Sequence, residues 1–494
     1  MAAAHTLWQA KERWGNACAL SFEGRTWTFA ELWQASSTPA AELRARGIGS
    51  GDRVGCLVGN RPEWLFWHVA ISRVGAVAVP INPAYTPSEI RNVLAAADLS
   101  LLVFDSELAG ATDATAGNPK VFALPQTASL PPGPHGWTPS YEEDSELPAA
   151  IYFSSGSTGQ PKGIIHSSRN LSRVAELVGR TWDYRPDDIL LLSMPLAFVY
   201  ASIVGWLSGT KRGAQMLLQR RFDAEAVAAA VQSGNLTVML GVPNMYRAVL
   251  ALPAAGGPGR LRAGLTAGDV LPRDLDDAFF ARFGAPLFDL YGLTETPHTV
   301  SHIFGTDGRS RPLSCGRKLD SIELRILDDA GGDVTPGEIG ELVCRTPYNF
   351  LGYFRNAQIT AEVLKDGWFW TGDLVRQDAD GYIYIVDRRK ELIKRSGFNV
   401  LPSEVEAVIL SCPGVLEAGV VGVPDRDLGE KVVAFVVPTE GTALSESAIE
   451  EECRRQLAKY KVPSAIEFVA TLPRGATGKI NRKMLREMGK NRHA

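Results

Sequence analysis

The chain has 494 residues, of which 45% are hydrophobic and 21% charged, and its formal net charge is -4. These values are typical of a globular protein with a large buried core, and they exclude a general attraction to nucleic acid or membranes. The six cysteines are scattered without metal-site spacing, and no apolar run is long enough to span a membrane. We therefore expect a cytoplasmic protein of roughly two to four domains, with reduced thiols and no nucleic-acid partner.

The N-terminal part of the chain alternates between helical and strand-like patterns. Helical spacing of apolar residues covers Thr28–Arg46, Trp64–Val74 and Ser88–Ala96. Short apolar runs typical of buried strands occur at Val54–Val58, Gly75–Pro80 and Leu101–Phe104. Strands of this length between helices are typical of parallel βαβ units, so the pattern predicts a doubly wound α/β fold.

Residues 106–147 are rich in Pro, Gly, Ala and Thr, which indicates a surface excursion before the alternation resumes. The next strands are predicted at Ile189–Met194, Val238–Gly241 and Ala263–Ala267, and the helices at Asp223–Ser233 and from Asn244 onward. Beyond Ile322, turn residues separate short strands at Leu324–Leu327, Glu341–Cys344 and Gly381–Val386. This change predicts a smaller β unit at the end of a large domain.

A polar segment near Lys390 separates this part from a compact C-terminal unit, so we predict domains at residues 1–389 and 390–494. The unit carries two helical patterns and two strand patterns, which predicts a small α+β domain: Ser403–Leu410 with capping-box spacing, Gly414–Val423, Lys431–Val437 and Glu446–Ala458. From Arg389 onward, 17 Lys and Arg residues face 14 Asp and Glu residues. This excess fits either a solvated basic tail or a mobile lobe that meets phosphates.

A glycine-rich segment between two apolar runs is the first candidate site. It contains Ser154, Ser155, Gly156, Ser157, Thr158 and Gly159, followed by Lys162. Glycines allow backbone N–H groups to approach an anion, the hydroxyls donate hydrogen bonds, and the lysine adds positive charge. The spacing is not that of a Walker A loop. The segment alone fits either a phosphate-binding loop or an ordinary hairpin loop.

Five further polar sites follow along the chain. They are Thr294 with Glu295, Asp373, Arg388, Gly397 and Lys479. Glu295 follows a predicted strand end, where a carboxylate can hold Mg²⁺, and an acidic residue such as Asp373 can accept ribose hydroxyls. Each position also fits a structural alternative, such as a capped turn, an Asx-turn, a surface ion pair or a loop glycine.

Taken together, these segments resemble the adenylate-forming superfamily of acyl-CoA synthetases, amino-acid-activating domains of peptide synthetases and firefly luciferase. The resemblance extends from Thr28-Phe29-Ala30-Glu31-Leu32 and Gly75–Pro83 to the loop of Lys479, and its motifs are specific in this order. It implies a two-step reaction. A carboxylate attacks the α-phosphate of ATP and releases pyrophosphate, and the thiol of coenzyme A then displaces AMP from the acyl-adenylate.

The resemblance also implies roles for individual residues. The glycine-rich segment with Lys162 would handle the β- and γ-phosphates, Thr294 the α-phosphate, and Glu295 the magnesium ion. Gly268, Asp269 and Tyr291 would flank the adenine, and Asp373 with Arg388 would contact the ribose. Lys479 would bridge the carboxylate and the α-phosphate. Lys390 would be the hinge about which the C-terminal domain rotates, and that rotation would bring Ser396, Gly397 and Phe398 to line the thiol tunnel.

The predicted acid pocket is mostly apolar. Its wall consists of Phe198, Val199, Tyr200, Val242, Gly268, Gly292 and Leu293. Phe198 stands where many relatives carry histidine, and Gly268 and Gly292 are expected to leave room for bulk. The segment Ala197–Ile203 lacks the acidic residue that usually binds a substrate amine in peptide synthetases. We therefore predict an uncharged aromatic, alicyclic or medium-sized aliphatic acid as the substrate.

Two alternatives to a complete acid–CoA ligase remain at this point. One is a relative that performs a single half-reaction or loads a separate carrier protein. The other is a nucleotide-binding scaffold without chemistry, although the presence of Lys479, Glu295 and Gly397 argues against it. A monomer and a homodimer are equally compatible with the sequence.

Overall fold

The structure, a computed structural model, describes residues 2–108, 121–124, 143–155, 161–253, 259–439, 441–442, 444–475 and 480–493. Within these residues the chain divides into two compact units. The first consists of residues 1–324, 343–370 and 379–384, and the second of residues 325–342, 371–378 and 385–494. The predicted division at residue 390 stays a prediction. No helix of the described part has the length and apolarity needed to cross a membrane.

The first unit contains a seven-stranded sheet. Its strands lie in the order Gly352–Tyr353, Pro161–Ser167, Pro148–Ser155, Val77–Pro80, Arg53–Leu57, Leu101–Asp105 and Val121–Leu124. The last five strands are parallel, and the first two pair antiparallel at the end of the sheet. The predicted strands at Val54, Gly75 and Leu101 are confirmed here, although the second begins only at Val77.

A second sheet of the first unit carries a longer parallel run. Its order is Gly316–Lys318, Val300–Ser301, Leu287–Tyr291, Ala263–Ala267, Val238–Gly241, Ile189–Leu192, Gln215–Leu218, Cys18–Phe22 and Arg25–Thr28. The six strands from Leu287–Tyr291 to Cys18–Phe22 are parallel, and most of their side chains are buried on both faces. This burial explains their continuous apolar sequences.

Helices cover the faces of both sheets, as a doubly wound α/β fold requires. The helices of the first unit are Ala2–Trp14, Phe29–Ala35, Ser37–Ala45, Pro62–Arg73, Pro87–Ala97, Ser168–Thr181, Ser208–Arg212, Ala224–Gln232, Pro243–Ala251, Arg273–Phe283 and Ala357–Val363. A π-helix spans Tyr200–Leu207. The predicted α/β class with a large N-terminal and a smaller C-terminal part is confirmed.

The predicted single helix Thr28–Arg46 is wrong. Thr28 caps the first helix as expected, in a reciprocal capping box with Glu31, but this helix ends at Ala35 and a second one begins at Ser37. Pro39 explains the break, because it has no N–H to donate to the carbonyl of Ala35. The helix Ala2–Trp14 has no counterpart in the predictions.

The second unit has a sheet of its own. The order is Phe398–Val400, Ile393–Arg395, Gly429–Pro438 and Val415–Asp425, with Ala465–Phe468 also pairing with Gly429–Pro438. Its helices are Pro402–Leu410, Glu446–Gln456 and Arg482–His493, preceded by a 3₁₀ turn at Arg389–Glu391. The strand Leu364–Lys365 belongs to the first unit. Four further strands begin in one unit and end in the other: Glu323–Leu327, Ile339–Arg345, Trp368–Gln377 and Tyr382–Arg388.

The predicted capping box at Ser403 is wrong. The helix begins at Pro402, which suits the first helical position because its missing N–H would have no partner there. Ser403 therefore lies inside the first turn, and its backbone N–H donates to Asp387 at 3.0 Å.

Four buried histidines give the first unit an expected sensitivity to acid. Burial lowers the pKa of His68, His166 and His302 to about 4 and that of His298 to about 3, against an ordinary value of 6.5. Between these values the unfolded chain binds protons that the folded chain does not. The free energy of unfolding should therefore fall as the pH drops below about 6.5, by about 1.4 kcal/mol per pH unit for each histidine.

Urea unfolding at pH 7 and pH 5 measures this loss. The variant His68→Phe keeps the ring stacked on Trp64, whose centroid lies 4.6 Å away, but removes the titrating nitrogen atoms. It should lose less stability between the two pH values than the unmodified protein. An equal loss in both proteins would contradict the assignment for His68.

Candidate active site

Four neighbouring parallel strands of the longer sheet end at predicted site residues. The strands Leu287–Tyr291, Ala263–Ala267, Val238–Gly241 and Ile189–Leu192 are adjacent. Tyr291 ends the first, and the other predicted residues follow within eight positions of a strand end: Gly292–Glu295, Gly268, Asp269, Val242 and Phe198–Tyr200. Ligands of α/β sheets bind at the carboxyl ends of strands. The structure thus brings these predicted residues to one edge of the sheet.

A tight turn presents Thr294 and Glu295 at this edge. The backbone N–H of Leu293 donates to Thr296 at 3.0 Å, and that of Thr296 donates back to Leu293 at 3.1 Å. A Cβ at Gly292 would lie 2.2 Å from the carbonyl oxygen of Pro297. The turn itself therefore requires glycine at this position. The room that we expected beside Gly292 for the acid is occupied by the backbone of Pro297.

His166 holds the Thr294 side of the turn. Its Nε2 lies 2.7 Å from the carbonyl oxygen of Thr294, and its side chain is fully buried. Burial lowers the pKa of His166 to about 4, so the imidazole is neutral near pH 7. Because a carbonyl oxygen only accepts hydrogen bonds, Nε2 carries the proton and donates it. Sequence reasoning missed this residue, although a histidine that follows two isoleucines in a strand was an available signal.

Tyr353 holds the Glu295 side of the turn. Its hydroxyl donates to Oε1 of Glu295 at 2.7 Å, and the backbone N–H of Phe350 donates to the Glu295 carbonyl at 3.0 Å. Burial and the nearby carboxylate raise the pKa of Tyr353, so its hydroxyl keeps its proton. No sequence pattern indicates this contact, because the two residues are 58 positions apart.

The half-buried carboxylate of Glu295 fits a magnesium ion that is held mainly by a nucleotide. The described residues contain no group of three His, Cys, Asp or Glu side chains that could form a complete metal cage. Mg²⁺ does not need one, because it commonly binds through one or two carboxylates, water and substrate phosphates. Oε2 of Glu295 would be the natural ligand, since Oε1 accepts from Tyr353.

The glycine-rich segment connects two paired strands. Pro148–Ser155 and Pro161–Ser167 are antiparallel, with Ser154 opposite Lys162. This pairing places the lysine at the base of the connection. The ammonium group of Lys162 lies 5.3 Å from the ring centroid of Tyr353. The predicted phosphate-binding residues Gly156, Ser157, Thr158 and Gly159 lie outside the described residues.

Tyr200, one of the predicted wall residues, is the first residue of the π-helix Tyr200–Leu207. Such helices are rare and often occur at functional sites. The Tyr200 hydroxyl donates to the carbonyl of Leu265 at 2.6 Å, and burial raises the pKa of this phenol. Tyr200 therefore presents its ring rather than a free hydroxyl. Val199 is buried, whereas Phe198, Val242 and Leu293 are half-buried.

Asn60 fixes the segment that leads into this wall. Its Nδ2 donates to the carbonyls of Met194 at 2.9 Å and Gln219 at 3.2 Å, and its Oδ1 accepts from the N–H of Leu196 at 2.9 Å. The side chain is buried, and its contact with Leu196 is buried as well, whereas its contacts with Met194 and Gln219 are partly buried. Asn60 was also missed from the sequence, where it reads as an ordinary turn residue after a strand.

The predicted ribose residues lie next to each other in the second unit. Nε of Arg388 lies 2.8 Å from Oδ1 of Asp373, which is buried. Thr371 holds the turn before Asp373, because its Oγ1 accepts from the Asp373 N–H at 3.1 Å and donates to the Leu342 carbonyl at 2.6 Å. The charge-assisted contact with Arg388 orients the carboxylate of Asp373.

The predicted tunnel residues form the tip of a hairpin in the second unit. Ser396 and Gly397 connect Ile393–Arg395 to Phe398–Val400, with positive φ angles of 49° and 83°. Phe398 is 54% exposed and stacks on Tyr460 with a centroid distance of 4.6 Å. The predicted hinge Lys390 is exposed and lies in the turn Arg389–Glu391. The predicted catalytic residue Lys479 lies outside the described residues.

Comparison with known proteins identifies the family. The profile of the AMP-binding enzymes matches residues 7–354, and that of the AMP-binding enzyme C-terminal domain matches residues 404–479. A 2-succinylbenzoate–CoA ligase of Geobacillus kaustophilus is 35% identical over 95% of this chain and 94% of its own length. A feruloyl-CoA synthase of an Amycolatopsis species is 34% identical over 94% of both chains.

The structural comparison agrees. The ATP-bound crystal structure of MatB from Rhodopseudomonas palustris has a TM-score of 0.89 and 30% identity, and the match covers 99% of this chain and 100% of that one. The chain belongs to the adenylate-forming family of AMP-binding enzymes. Within that family it is an ATP-dependent acid–CoA ligase, which forms an acyl-adenylate before the thioester.

The Asn60 contacts generate a prediction about acid binding. Replacing Asn60 with Ala removes the hydrogen-bond partner of one buried and two partly buried backbone groups and should loosen the segment before Phe198. We expect the KM for the acid to rise about tenfold in ATP–pyrophosphate exchange, since each lost hydrogen bond costs about 1 kcal/mol or more. The KM for ATP should stay within about twofold of its original value, because sites that share no contact partners usually respond independently to a substitution.

Asn60→Asp is the matched variant, because it keeps the acceptor for Leu196 but loses both donated bonds. Its KM for the acid should rise at least as much as that of Asn60→Ala, because a carboxylate oxygen would face the carbonyl oxygens of Met194 and Gln219. Equal increases in the KM values of ATP and acid would show that Asn60 supports the fold generally and not the acid segment.

Proposed function

We propose that this protein activates an uncharged aromatic, alicyclic or medium-sized aliphatic acid with Mg²⁺ and ATP, and transfers the acyl group to coenzyme A. The observation that carries this proposal is the clustering of Thr294, Glu295 and the apolar wall from Phe198 at one sheet edge. A polar turn for a nucleotide and an apolar wall for an acid are what the first half-reaction needs. The assignment of individual residues is part of the proposal.

In the first half-reaction, a carboxylate oxygen of the acid attacks the α-phosphorus. The bond from that phosphorus to the oxygen that bridges it to the β-phosphate breaks, and pyrophosphate leaves. Thr294 would contact the α-phosphate, Glu295 would hold the metal, and the segment Ser154–Gly159 with Lys162 would hold the leaving group. Negative charge gathers at the α-phosphate, so Lys479 and fixed donors stabilise the transition state most.

The acid itself needs no general base for this attack, because its carboxylate is already ionised near pH 7. This fits the neutral state of His166, which acts as a fixed donor to Thr294 and not as a proton acceptor. The rate would depend mainly on holding two anions in line, which is the contribution expected from positioned binding groups.

In the second half-reaction, the thiol of coenzyme A attacks the acyl carbonyl. The bond from the carbonyl carbon to the AMP oxygen breaks, AMP leaves, and the thiol proton passes to water. We assign the passage of the pantetheine arm to Ser396, Gly397 and Phe398. Asp373 and Arg388 would hold the ribose, and Gly268, Asp269 and Tyr291 would flank the adenine. Lys390 would be the hinge between the two half-reactions.

The nature of the acid is proposed from the wall residues. Tyr200 uses its hydroxyl on Leu265, so its ring offers an apolar surface to the acid. Val199, Val242 and Leu293 add aliphatic surface and no charge. A second charged group on the acid would find no partner among these residues. The relatives' names include an acid without a second charged group, in feruloyl-CoA synthase, but also 2-succinylbenzoate and sulfoacetate, which each carry a second acidic group. The choice of an uncharged acid therefore rests on the wall residues of this chain and not on the relatives.

One alternative concerns the thiol. The relative ScoC of Streptomyces coeruleorubidus is named a fatty acid–[acyl-carrier-protein] ligase and is 31% identical over 95% of this chain. A carrier protein presents the same phosphopantetheine arm as coenzyme A, so it is the second candidate acceptor.

ATP–pyrophosphate exchange over a panel of acids tests the proposal, followed by thioester detection with coenzyme A and with a phosphopantetheinylated carrier protein. We expect exchange with at least one uncharged aromatic or medium-sized acid and a thioester with coenzyme A. Absence of exchange with every acid, together with thioester formation from a supplied acyl-adenylate, would refute the two-step proposal. Preference for the carrier protein would refute the assignment of the acceptor.

Replacing Lys479 with Ala should separate the two half-reactions. Loss of a charge that acts only in the adenylation transition state should slow exchange by about 100-fold or more. Thioester formation from supplied acyl-adenylate should remain within about threefold of the original rate. Lys483→Ala is the control, because Lys483 is an exposed lysine in the helix Arg482–His493. Equal losses in both half-reactions would contradict the role of Lys479.

Replacing Gly397 with Leu should have the opposite effect. No atom lies within 4 Å of an added Cβ, so the substitution meets no clash in the second unit, although its positive φ of 83° costs about 1 kcal/mol. Thioester formation should fall more than exchange, because the side chain would enter the proposed thiol passage. Gly441→Leu is the matched control, since Gly441 also has a positive φ and open surroundings. Similar losses in both half-reactions would refute the tunnel role.

A further inference from the structure

Tyr353 contacts both charged groups that the proposed function places around the nucleotide phosphates. Its hydroxyl donates to Glu295 at 2.7 Å, and its ring centroid lies 5.3 Å from the ammonium group of Lys162. One side chain therefore touches the proposed metal ligand with its polar end and the proposed phosphate-binding lysine with its ring. No ion pair of Lys162 is present among the described residues.

The position of the ring is fixed from several sides. Tyr353 pairs with Ile164 in the strand that carries Lys162, and its backbone N–H donates to Thr360 at 2.8 Å. Its ring packs edge-on against Phe350 with a centroid distance of 5.0 Å. Tyr353 is only 9% exposed. Both contacts therefore start from a side chain with little freedom to move.

We propose that Tyr353 is a positioning residue that couples the metal ligand Glu295 to the phosphate-binding Lys162. Its hydroxyl donates to Oε1 of Glu295, which would leave Oε2 to bind the metal. Its ring attracts the ammonium group of Lys162 and keeps it near the base of the glycine-rich segment. The inference rests on the proposed function, because it assigns a supporting role within the same site.

The two contacts use different parts of the side chain, so they can be separated by substitution. Tyr353→Phe removes only the hydroxyl and keeps the ring for Lys162. Tyr353→Leu removes both. Partners that orient a metal ligand typically contribute about 10- to 100-fold to metal affinity. The first variant should therefore affect the metal alone, and the second should affect both the metal and ATP.

Electron paramagnetic resonance can monitor the binding of Mn²⁺ to the complex of the full chain with ATP. This measurement reports on the metal contact without catalysis. We expect Tyr353→Phe to weaken Mn²⁺ binding about tenfold and to raise the Mg²⁺ concentration for half-maximal exchange similarly. The KM for ATP at saturating Mg²⁺ should stay within about twofold of its original value for Tyr353→Phe, and it should rise about fivefold or more for Tyr353→Leu. Tyr382→Phe is the matched control, because Tyr382 donates to the carboxylate of Asp307 at 2.9 Å.

If Tyr353→Phe bound Mn²⁺ with the same affinity as the unmodified protein, the proposed role of the hydroxyl would be wrong. Equal KM values for ATP in the Phe and Leu variants would overturn the role of the ring. A similar loss in Tyr382→Phe would show a general effect of removing a phenol and would also overturn the proposal. Absence of exchange in the unmodified protein would instead refute the proposed function, while the Mn²⁺ measurement would still test Tyr353.

Discussion

The turn that carries Thr294 and Glu295 is the constraint on which the site depends. In the proposed function these two half-buried side chains contact a polyanion and its metal ion, while the backbone that carries them is folded back on itself within four residues. Paired bonds between Leu293 and Thr296 close the turn, and His166 and Tyr353 hold its two tips from outside. Because buried imidazole and phenol groups are rigid donors, the turn is set before a ligand arrives. Preorganisation of this kind is the main source of electrostatic stabilisation in a site.

Both external donors reach the turn from the smaller of the two sheets in the first unit. His166 lies in the strand Pro161–Ser167, and Tyr353 lies in the strand Gly352–Tyr353 beside it. Lys162 is the second residue of the strand Pro161–Ser167. The turn itself follows a strand of the other sheet, Leu287–Tyr291. The proposed metal ligand and the proposed phosphate-binding lysine therefore belong to different sheets, and contacts between side chains set their relation.

The sequence predicted the strands well because buried parallel strands are short continuous apolar runs, as at Val238–Gly241 and Ala263–Ala267. It predicted the helix break at Ser36 poorly, because apolar spacing continues across Pro39 although the hydrogen-bond pattern cannot. The roles of His166, Tyr353 and Asn60 were not predicted. Their roles consist of contacts with residues 128, 58 and 134 positions away, and each reads locally as an ordinary strand or turn residue. Motif order supplied candidates for the residues that carry the chemistry, whereas no motif pointed to the residues that hold these candidates in place.

Two glycines also show that the sequence alone does not reveal why a residue is needed at its position. Gly292 and Gly397 both lie in motifs of the family and read alike in the sequence. At Gly292 a side chain would collide with the backbone of Pro297, so the fold itself requires glycine there. At Gly397 the surroundings are open, and only the positive φ favours glycine within the second unit. Open surroundings do not by themselves assign a role, because Gly441 shares them, but at Gly397 they leave the space that the proposed thiol passage needs. For Gly397, an incoming thiol arm is the occupant that the proposed second half-reaction supplies.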